Sequence, residues 1–274
     1  MRAGPIALAA ALAGCNSIYG RSVALAPEPC AAPLPPCAIT AQPVVGDWDG
    51  DGRDTPGLFD RGRWCITNRR EAGDVCIGFR WGAAGDTPIV GDWNGDGGSS
   101  PGWFNATRWS LKDADRDGNP ADFGWGVRTM QPLAGDWDAR GRDTPGGVQD
   151  AGDGVAWSLS NHNSGGGVDH TFGWGAAGTI RLVGDWDGNG TDTPAWYRSG
   201  TWTFSNVNSG GGVAAAFQWG GADDTPFAGD WDGDGFDTVG LYRNGAWSLS
   251  DLHIAALSGT QGPAEVTTFR WGTP

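Results

Sequence analysis

The chain is short of several things that would each have pointed to a function. Of its 274 residues only 18 are Lys or Arg, against 32 Asp or Glu, for a net charge of −14. No basic stripe is present to neutralise phosphates, so a nucleic-acid partner is not expected. Beyond the N-terminus no run of 18 or more apolar residues occurs, so nothing is expected to span a bilayer. Histidines number three (His162, His170, His253), and none stands at a recognisable spacing from a nucleophile or a metal partner. Catalysis finds little support on these grounds, and the chain is read as a non-enzyme.

What is abundant is glycine (49) and tryptophan (17), and both fall at fixed places in a repeat. The nine-residue stretch Asp47-Trp48-Asp49-Gly50-Asp51-Gly52-Arg53-Asp54-Thr55 returns at Asp92, Asp136, Asp185 and Asp230, at intervals of 45, 44, 49 and 45 residues. Each copy follows a glycine, opens with Asp-Trp and has glycine sixth. Oxygen side chains at positions 1, 3 and 5 with glycine at 6 suit an oxygen-preferring cation: alternate side chains converge, and glycine permits the sharp turn. An EF-hand is ruled out, since no helical pattern flanks the loop and no glutamate stands at position 12. Of the 32 acidic residues, 16 lie in these five loops, so the acidity reads as cation ligation rather than general solvation.

Four strand signals surround each loop. An apolar pair precedes it (Val44-Val45 and its counterparts), and a second run begins after it, usually on proline. The third and fourth alternate, as in Trp64-Cys65-Ile66 and Phe79-Arg80-Trp81. Period-two alternation with aromatic and β-branched residues predicts half-buried antiparallel strands. Four strands in about 45 residues make a propeller blade. The expected fold is therefore all-β, a five-bladed β-propeller with four antiparallel strands per blade. Three fixed slots in five repeats account for 15 of the 17 tryptophans, an arrangement suited to packing between neighbouring blades. Trp103 and Trp196 lie outside those slots and are the candidates for a ligand contact. Five complete units predict a closed ring with no strand borrowed from the other terminus, hence a weak seam between blades 1 and 5.

The N-terminal segment, a short apolar run ending in Leu12-Ala13-Gly14-Cys15, resembles a bacterial lipoprotein signal. The resemblance implies cleavage before Cys15 and its lipidation, with the cell envelope as location; an ordinary secretory peptide cut after Ala13 is the alternative. Residues 1–14 are thus read as signal peptide, 15–40 as a Pro/Ala-rich lipid-anchored tether and 41–274 as the propeller. Four cysteines remain, an even set suited to an oxidising compartment. Cys30 and Cys37 bracket a tight loop that a disulfide would close. Cys65 and Cys76, found in blade 1 only, would brace the seam if joined. Connectivity is not fixed by sequence.

The repeat units resemble the FG-GAP or VCBS-type repeats of bacterial surface proteins, related to the blades of integrin α chains, on the motif Gly-Asp-Trp-Asp/Asn-Gly-Asp-Gly over residues 44–274. The resemblance implies a propeller with calcium in the hairpin between a blade's first two strands, and a binding or adhesive role. Carried over by position, ligands are Asp47, Asp49 and Asp51; Asp92, Asn94 and Asp96; Asp185, Asp187 and Asn189; and Asp230, Asp232 and Asp234. It also implies an acid at position 9, but that position holds Thr or Ser here, with Asp54, Asp143, Asp192 and Asp237 one place earlier and Ser99 there in blade 2; either position could complete the sphere. About four calcium sites are expected. In blade 3 Arg140 stands where a ligand oxygen should be, so that loop is predicted to fold without metal. A sixth acidic run, residues 113–122, is a further metal candidate or a solvated turn, and Asn161–Gly167 and Asn206–Gly212 read as flexible hairpin turns. The leading function is a calcium-stabilised envelope propeller that binds a protein, and the alternative is a glycan-binding lectin, with membrane contact only through the lipid.

Overall fold

The computed structural model describes residues 37–71, 77–113, 118–257, 259 and 262–272. Every blade is one four-stranded antiparallel sheet built from consecutive strands. Blade 1 comprises β1 (Gln42–Gly46), β2 (Thr55–Asp60), β3 (Arg63–Ile66) and β4 (Ile77–Arg80). Blade 2 comprises β5 (Thr87–Gly91), β6 (Ser100–Asn105), β7 (Arg108–Leu111) and β8 (Ala121–Gly124). Blade 3 holds β9 (Gln131–Gly135), β10 (Thr144–Ala151), β11 (Gly154–Leu159) and β12 (His170–Gly173). Blade 4 holds β13 (Ile180–Gly184), β14 (Thr193–Arg198), β15 (Thr201–Phe204) and β16 (Ala215–Gln218). Blade 5 ends the ring with β17 (Thr225–Gly229), β18 (Thr238–Arg243), β19 (Ala246–Leu249) and β20 (Thr267–Arg270), plus one 3-10 turn at Ile254–Ala256. The first strands of successive blades lie side by side and β17 returns to β1, so the chain is a closed five-bladed β-propeller.

Two expectations about the strands change. The second strand begins one residue before its proline, on the loop's ninth residue: Thr55 pairs with Gly46, and Pro56 with Val45. In blades 1, 2 and 4 the third strand is buried along its length after its first residue, whereas in blades 3 and 5 it alternates buried with intermediate positions as predicted. Trp64, Cys65 and Ile66 are all inaccessible, as are Trp109, Ser110 and Leu111, because a blade inside a ring is covered by a neighbour on each face. The fourth strand, at the rim, also alternates as predicted, with an intermediate–exposed pattern in β4 and β8.

Packing follows from this arrangement. On one face of blade 1, Val44, Trp48, Phe59, Trp64 and Ile66 form a cluster that also takes in Val90 of blade 2. Blade 4 likewise packs Trp186, Trp202, Phe204 and Phe217 against Val239 and Leu241 of blade 5. Within a blade the rings interlock, Phe59 edge-on to Trp64 at 5.1 Å and Trp64 stacked on Phe79 at 6.0 Å. Some indole N–H groups find acceptors, Trp48 donating to the Thr55 carbonyl and Trp64 to that of Trp81. Those of Trp81, Trp93, Trp231 and Trp247 are buried with no acceptor among the described residues.

The seam between blades 1 and 5 is closed differently from expectation. Cys65 is bonded to Cys37, with Cα atoms 5.9 Å apart, which overturns the pairings of Cys30 with Cys37 and of Cys65 with Cys76. The register explains it: Cys65 and Leu58 are cross-strand partners on the face that meets blade 5, where Cys37 also lies. The bond pins residues 37–41 into the seam. There the Ile39 carbonyl accepts the Tyr242 hydroxyl, and the Ile39 side chain packs against Gly245 and Gly272 of blade 5. Cys15, Cys30 and Cys76 lie outside the described residues.

Candidate functional site

Each loop curls around its first carboxylate. Asp47 accepts the N–H groups of Gly50 (2.8 Å), Asp51 (3.1 Å) and Gly52 (2.8 Å). Asp92 and Asp230 accept the corresponding three, and Asp185 accepts those of Asn189 and Gly190. The fifth residue accepts an N–H two places on, Arg53 to Asp51, Gly98 to Asp96, Thr191 to Asn189 and Phe236 to Asp234. Gly52 takes φ 84°, a left-handed turn that a side chain would strain.

Carboxylate oxygens gather as a result. Those of Asp47, Asp49 and Asp51 lie within 4.8 Å of one another, and so do those of Asp230, Asp232 and Asp234. Three oxygen donors converging from one loop, none of them nitrogen or sulfur, fit a hard divalent cation. Without a counter-charge the arrangement is costly. Burial lifts Asp47, Asp92 and Asp230 above the usual carboxylate range despite the N–H groups they accept, and burial with the neighbouring Asp185 charge lifts Asp187. In blade 2 Asn94 supplies one oxygen in place of a carboxylate and donates its amide to Asp96 at 3.1 Å. In blade 3 the Arg140 guanidinium lies 3.1 Å from Asp138, while Asp136 accepts only backbone N–H groups, among them those of Arg140 and Gly141.

The eighth residue does something else. Its side chain accepts the N–H of the preceding blade's first loop residue: Asp143 that of Asp92 (2.7 Å), Asp192 that of Asp136 (2.7 Å), Asp237 that of Asp185 (2.9 Å) and Asp54 that of Asp230 (2.9 Å). Ser99 plays the part in blade 2, accepting from Asp47 at 3.1 Å. A reciprocal backbone bond runs from each eighth N–H to the same partner's carbonyl, as from Asp54 to Asp230 at 2.7 Å. Five two-bond clasps thus join loop to loop around the ring, and the fifth closes it. Asp54, Asp192 and Asp237 are bound up in these clasps and are not part of the converging sets. The ninth residue is occupied too, since Thr55 opens β2 with its hydroxyl toward the Gly46 carbonyl.

The clasp carboxylates also feel one another. Burial and then the Asp237 charge push Asp54 well above the usual range, and burial and then Asp143 and Asp237 do the same to Asp192. Burial, outweighing the Asp92 N–H, brings Asp143 up to about 7, and burial with the charges of Asp230 and Asp185 brings Asp237 to about 6.

A further set of residues, read from sequence as flexible turns, holds the loops from outside. Asn163 donates to the Trp93 carbonyl (3.1 Å) and the Asp143 carbonyl (2.9 Å), tying two blades together, and Asn208 donates to that of Asp192 (2.8 Å). Asn68 donates to Asp49 at 2.8 Å. His253, stacked on Phe236 with centroids 4.1 Å apart, sits 2.6 Å from Asp234. Partial burial works against ionisation there, but that hydrogen bond holds Asp234 below the usual range. The repeated Asn-x-Asn spacing was the available signal. Residues 114–117 of the sixth acidic run lie outside the described residues.

Trp103 and Trp196 are half-buried between blades, against Gly82 and Gly175 of the preceding ones. Arg108 lies over the Trp103 ring at 5.6 Å. In blade 3 the same slot is Gly147 and Met130 fills it. A groove of about 590 Å³ opens beside it between blades 2 and 3, lined by Trp125, Val127, Met130, Gln149 and Ser158 among others, with no charged side chain.

No family model matches the chain, and no curated protein matches it either. Among solved structures it is similar to a lectin of Agrocybe aegerita described for specific recognition of non-reducing terminal N-acetylglucosamine. The identity is 14%, the TM-score 0.45, and the alignment covers 84% of this chain and 80% of the other. A likeness that distant bears on neither ligand nor site.

Proposed function

We propose that the chain is a non-enzymatic, calcium-stabilised binding propeller of the FG-GAP/VCBS type, held at the bacterial cell envelope through lipidated Cys15 and presenting its loops to a protein partner. The observation that supports the metal is the convergence of Asp47, Asp49 and Asp51, and of Asp230, Asp232 and Asp234, within 4.8 Å. Asp92, Asn94 and Asp96, and Asp185, Asp187 and Asn189, would hold the ion in blades 2 and 4. Calcium there neutralises the gathered carboxylates and fixes the loops that a partner would meet. The test is calcium titration of the folded chain by calorimetry, with Asp230→Asn/Asp232→Asn/Asp234→Asn removing one site. Loading of four loops that falls to three supports the reading; no uptake at millimolar supply would sink it. A partner cross-linked on the producing cell and lost on chelation would establish the binding role.

A second reading, a glycan-binding lectin, is favoured by the uncharged groove between blades 2 and 3 in an otherwise acidic chain. Binding on a glycan array that Trp103→Ala and Trp196→Ala leave intact, but Gly147→Leu/Met130→Ala removes, would place a sugar there.

A further inference from the structure

The clasps carry the seventh residue of each loop across a blade boundary. Asp54 donates its N–H to the Asp230 carbonyl at 2.7 Å and Asp143 to that of Asp92 at 2.8 Å, which sets the residue just before each against the preceding blade's loop. A Cβ at Gly233, fourth in the blade 5 loop, would stand 3.0 Å from Arg53 Cγ and 3.2 Å from its Nε. Arg142 Nη2 donates to the carbonyl of Asn94, third in the blade 2 loop, at 3.3 Å. Phe236 reaches blade 4 in the same way, its ring 2.6 Å from where a Gly188 Cβ would be. Over blade 1 the seventh residue is Gly98, which brings no side chain.

Arg53 and Arg142 therefore lie beside loops other than their own. Both are exposed, and among the described residues neither guanidinium is within ion-pair distance of a carboxylate. Their charges stand next to the sets Asp230, Asp232, Asp234 and Asp92, Asn94, Asp96 without taking a carboxylate out of use. Ligand charge is matched between blades: blades 1 and 5 each offer three Asp, and blades 2 and 4 each offer two Asp and one Asn. One difference within each pair is the seventh residue laid over the loop, arginine on blades 5 and 2 against glycine on blade 1 and phenylalanine on blade 4.

Building on the calcium reading above, we propose that Arg53 and Arg142 set the calcium affinity of the neighbouring loops they reach, those of blades 5 and 2, and hold it below that of blades 1 and 4. A positive charge beside a divalent ion repels it, and in a solvent-exposed loop the effect is about threefold to tenfold in affinity. The ring then fills in two steps as calcium rises, two loops before the other two. Arg53 belongs by sequence to the blade 1 motif and Arg142 to the metal-free loop of blade 3, yet each acts across the boundary.

Calcium titration of the full chain by calorimetry tests this with Arg53→Gln, which removes the charge, and Arg53→Lys, which keeps it. His253 also touches Asp234 in blade 5, so substitution at the arginine isolates its effect where comparison of blades does not. Arg53→Gln should tighten one site by about threefold to tenfold at about 0.01 M salt, and by less at about 0.15 M, where screening is stronger. Arg53→Lys should match the wild type at both. The tightening should persist when Asp49→Asn/Asp51→Asn weakens the blade 1 loop and disappear when Asp232→Asn/Asp234→Asn weakens the blade 5 loop. Arg142→Gln should tighten the blade 2 loop in the same way. Gly98→Arg, where a Cβ would meet nothing closer than 3.4 Å, should loosen the blade 1 loop by a similar factor. Tightening that follows the blade 1 loop, or calcium uptake that Arg53→Gln and Arg142→Gln leave unchanged, would overturn the role of the arginines and leave the calcium reading standing. No uptake by any of these proteins would overturn both.

Discussion

Replacing Asp143 by serine should stabilise the protein above neutral pH and lose that advantage in acid. Asp143 does two opposed things. Its carboxylate accepts the Asp92 N–H at 2.7 Å, which closes one of the five clasps, yet burial brings its pKa from the usual 3.8 up to about 7. A group whose folded pKa exceeds its unfolded one favours folding below the unfolded value, and that contribution is lost as pH rises through the folded value. The window therefore runs from about pH 4 to about pH 7, and the wild type should lose stability across it. At about 1.4 kcal/mol per pH unit the full effect is on the order of 4 kcal/mol, an upper figure because neighbouring carboxylates share it. Ser99 shows that a hydroxyl can make the same clasp without a charge, accepting the Asp47 N–H at 3.1 Å. Asp143→Ser should thus melt above the wild type at pH 8 and level with it or below near pH 4.5. Asp143→Ala, which leaves the Asp92 N–H without an acceptor, should fall below the serine variant at every pH by about 1–3 kcal/mol. For a domain of this size each kcal/mol is worth about 2–4 °C in Tm, so differential scanning calorimetry at fixed calcium resolves all three proteins. A difference between wild type and Asp143→Ser that does not change with pH would refute the reasoning.

Chelation should lower Tm. With a dissociation constant of about 0.1 mM and millimolar calcium each occupied loop adds about 1.4 kcal/mol, so four add roughly 5–6 kcal/mol; Asp136→Asn, in the arginine-bearing loop, should leave that drop unchanged in a paired melt. Non-reducing peptide mapping should join Cys37 to Cys65, and Cys37→Ser should cost about 3–4 kcal/mol, the loop-closure value for their separation of 28 residues, read by urea unfolding. Gly91→Ala should destabilise the protein, because the new Cβ would stand 2.7 Å from the Asp143 carboxylate and 2.8 Å from the Trp93 ring; a variant with wild-type urea midpoint would show that the clasp has room to yield.

Much of the ring was legible because its units repeat. Alternation placed β3 and β4, the loop motif placed the turn from β1 to β2, and even spacing gave the blade count. The loop's positions 1, 3 and 5 could be read as converging because a short loop around glycine has few ways to fold. Position 8 could not be read that way. Asp54 and Asp47 stand seven residues apart in one motif, yet the Asp54 carboxylate serves Asp230, 176 residues distant. Local spacing says which groups lie on one loop and nothing about which neighbouring loop the ring brings beside them. The disulfide escaped for the same reason, since Cys65 faces blade 5 rather than its own hairpin, and so did the tie from Asn163 to Trp93.

The sequence by itself determined the repeat, the strand pattern and the gathering of acids within each hairpin, all consequences of short-range chain geometry. Only the tertiary structure decided what those acids answer to: which are left together for a cation and which clasp the next blade. Those outcomes depend on closing the ring, which sets residues from remote parts of the chain against one another and excludes water from the faces where neighbouring blades meet.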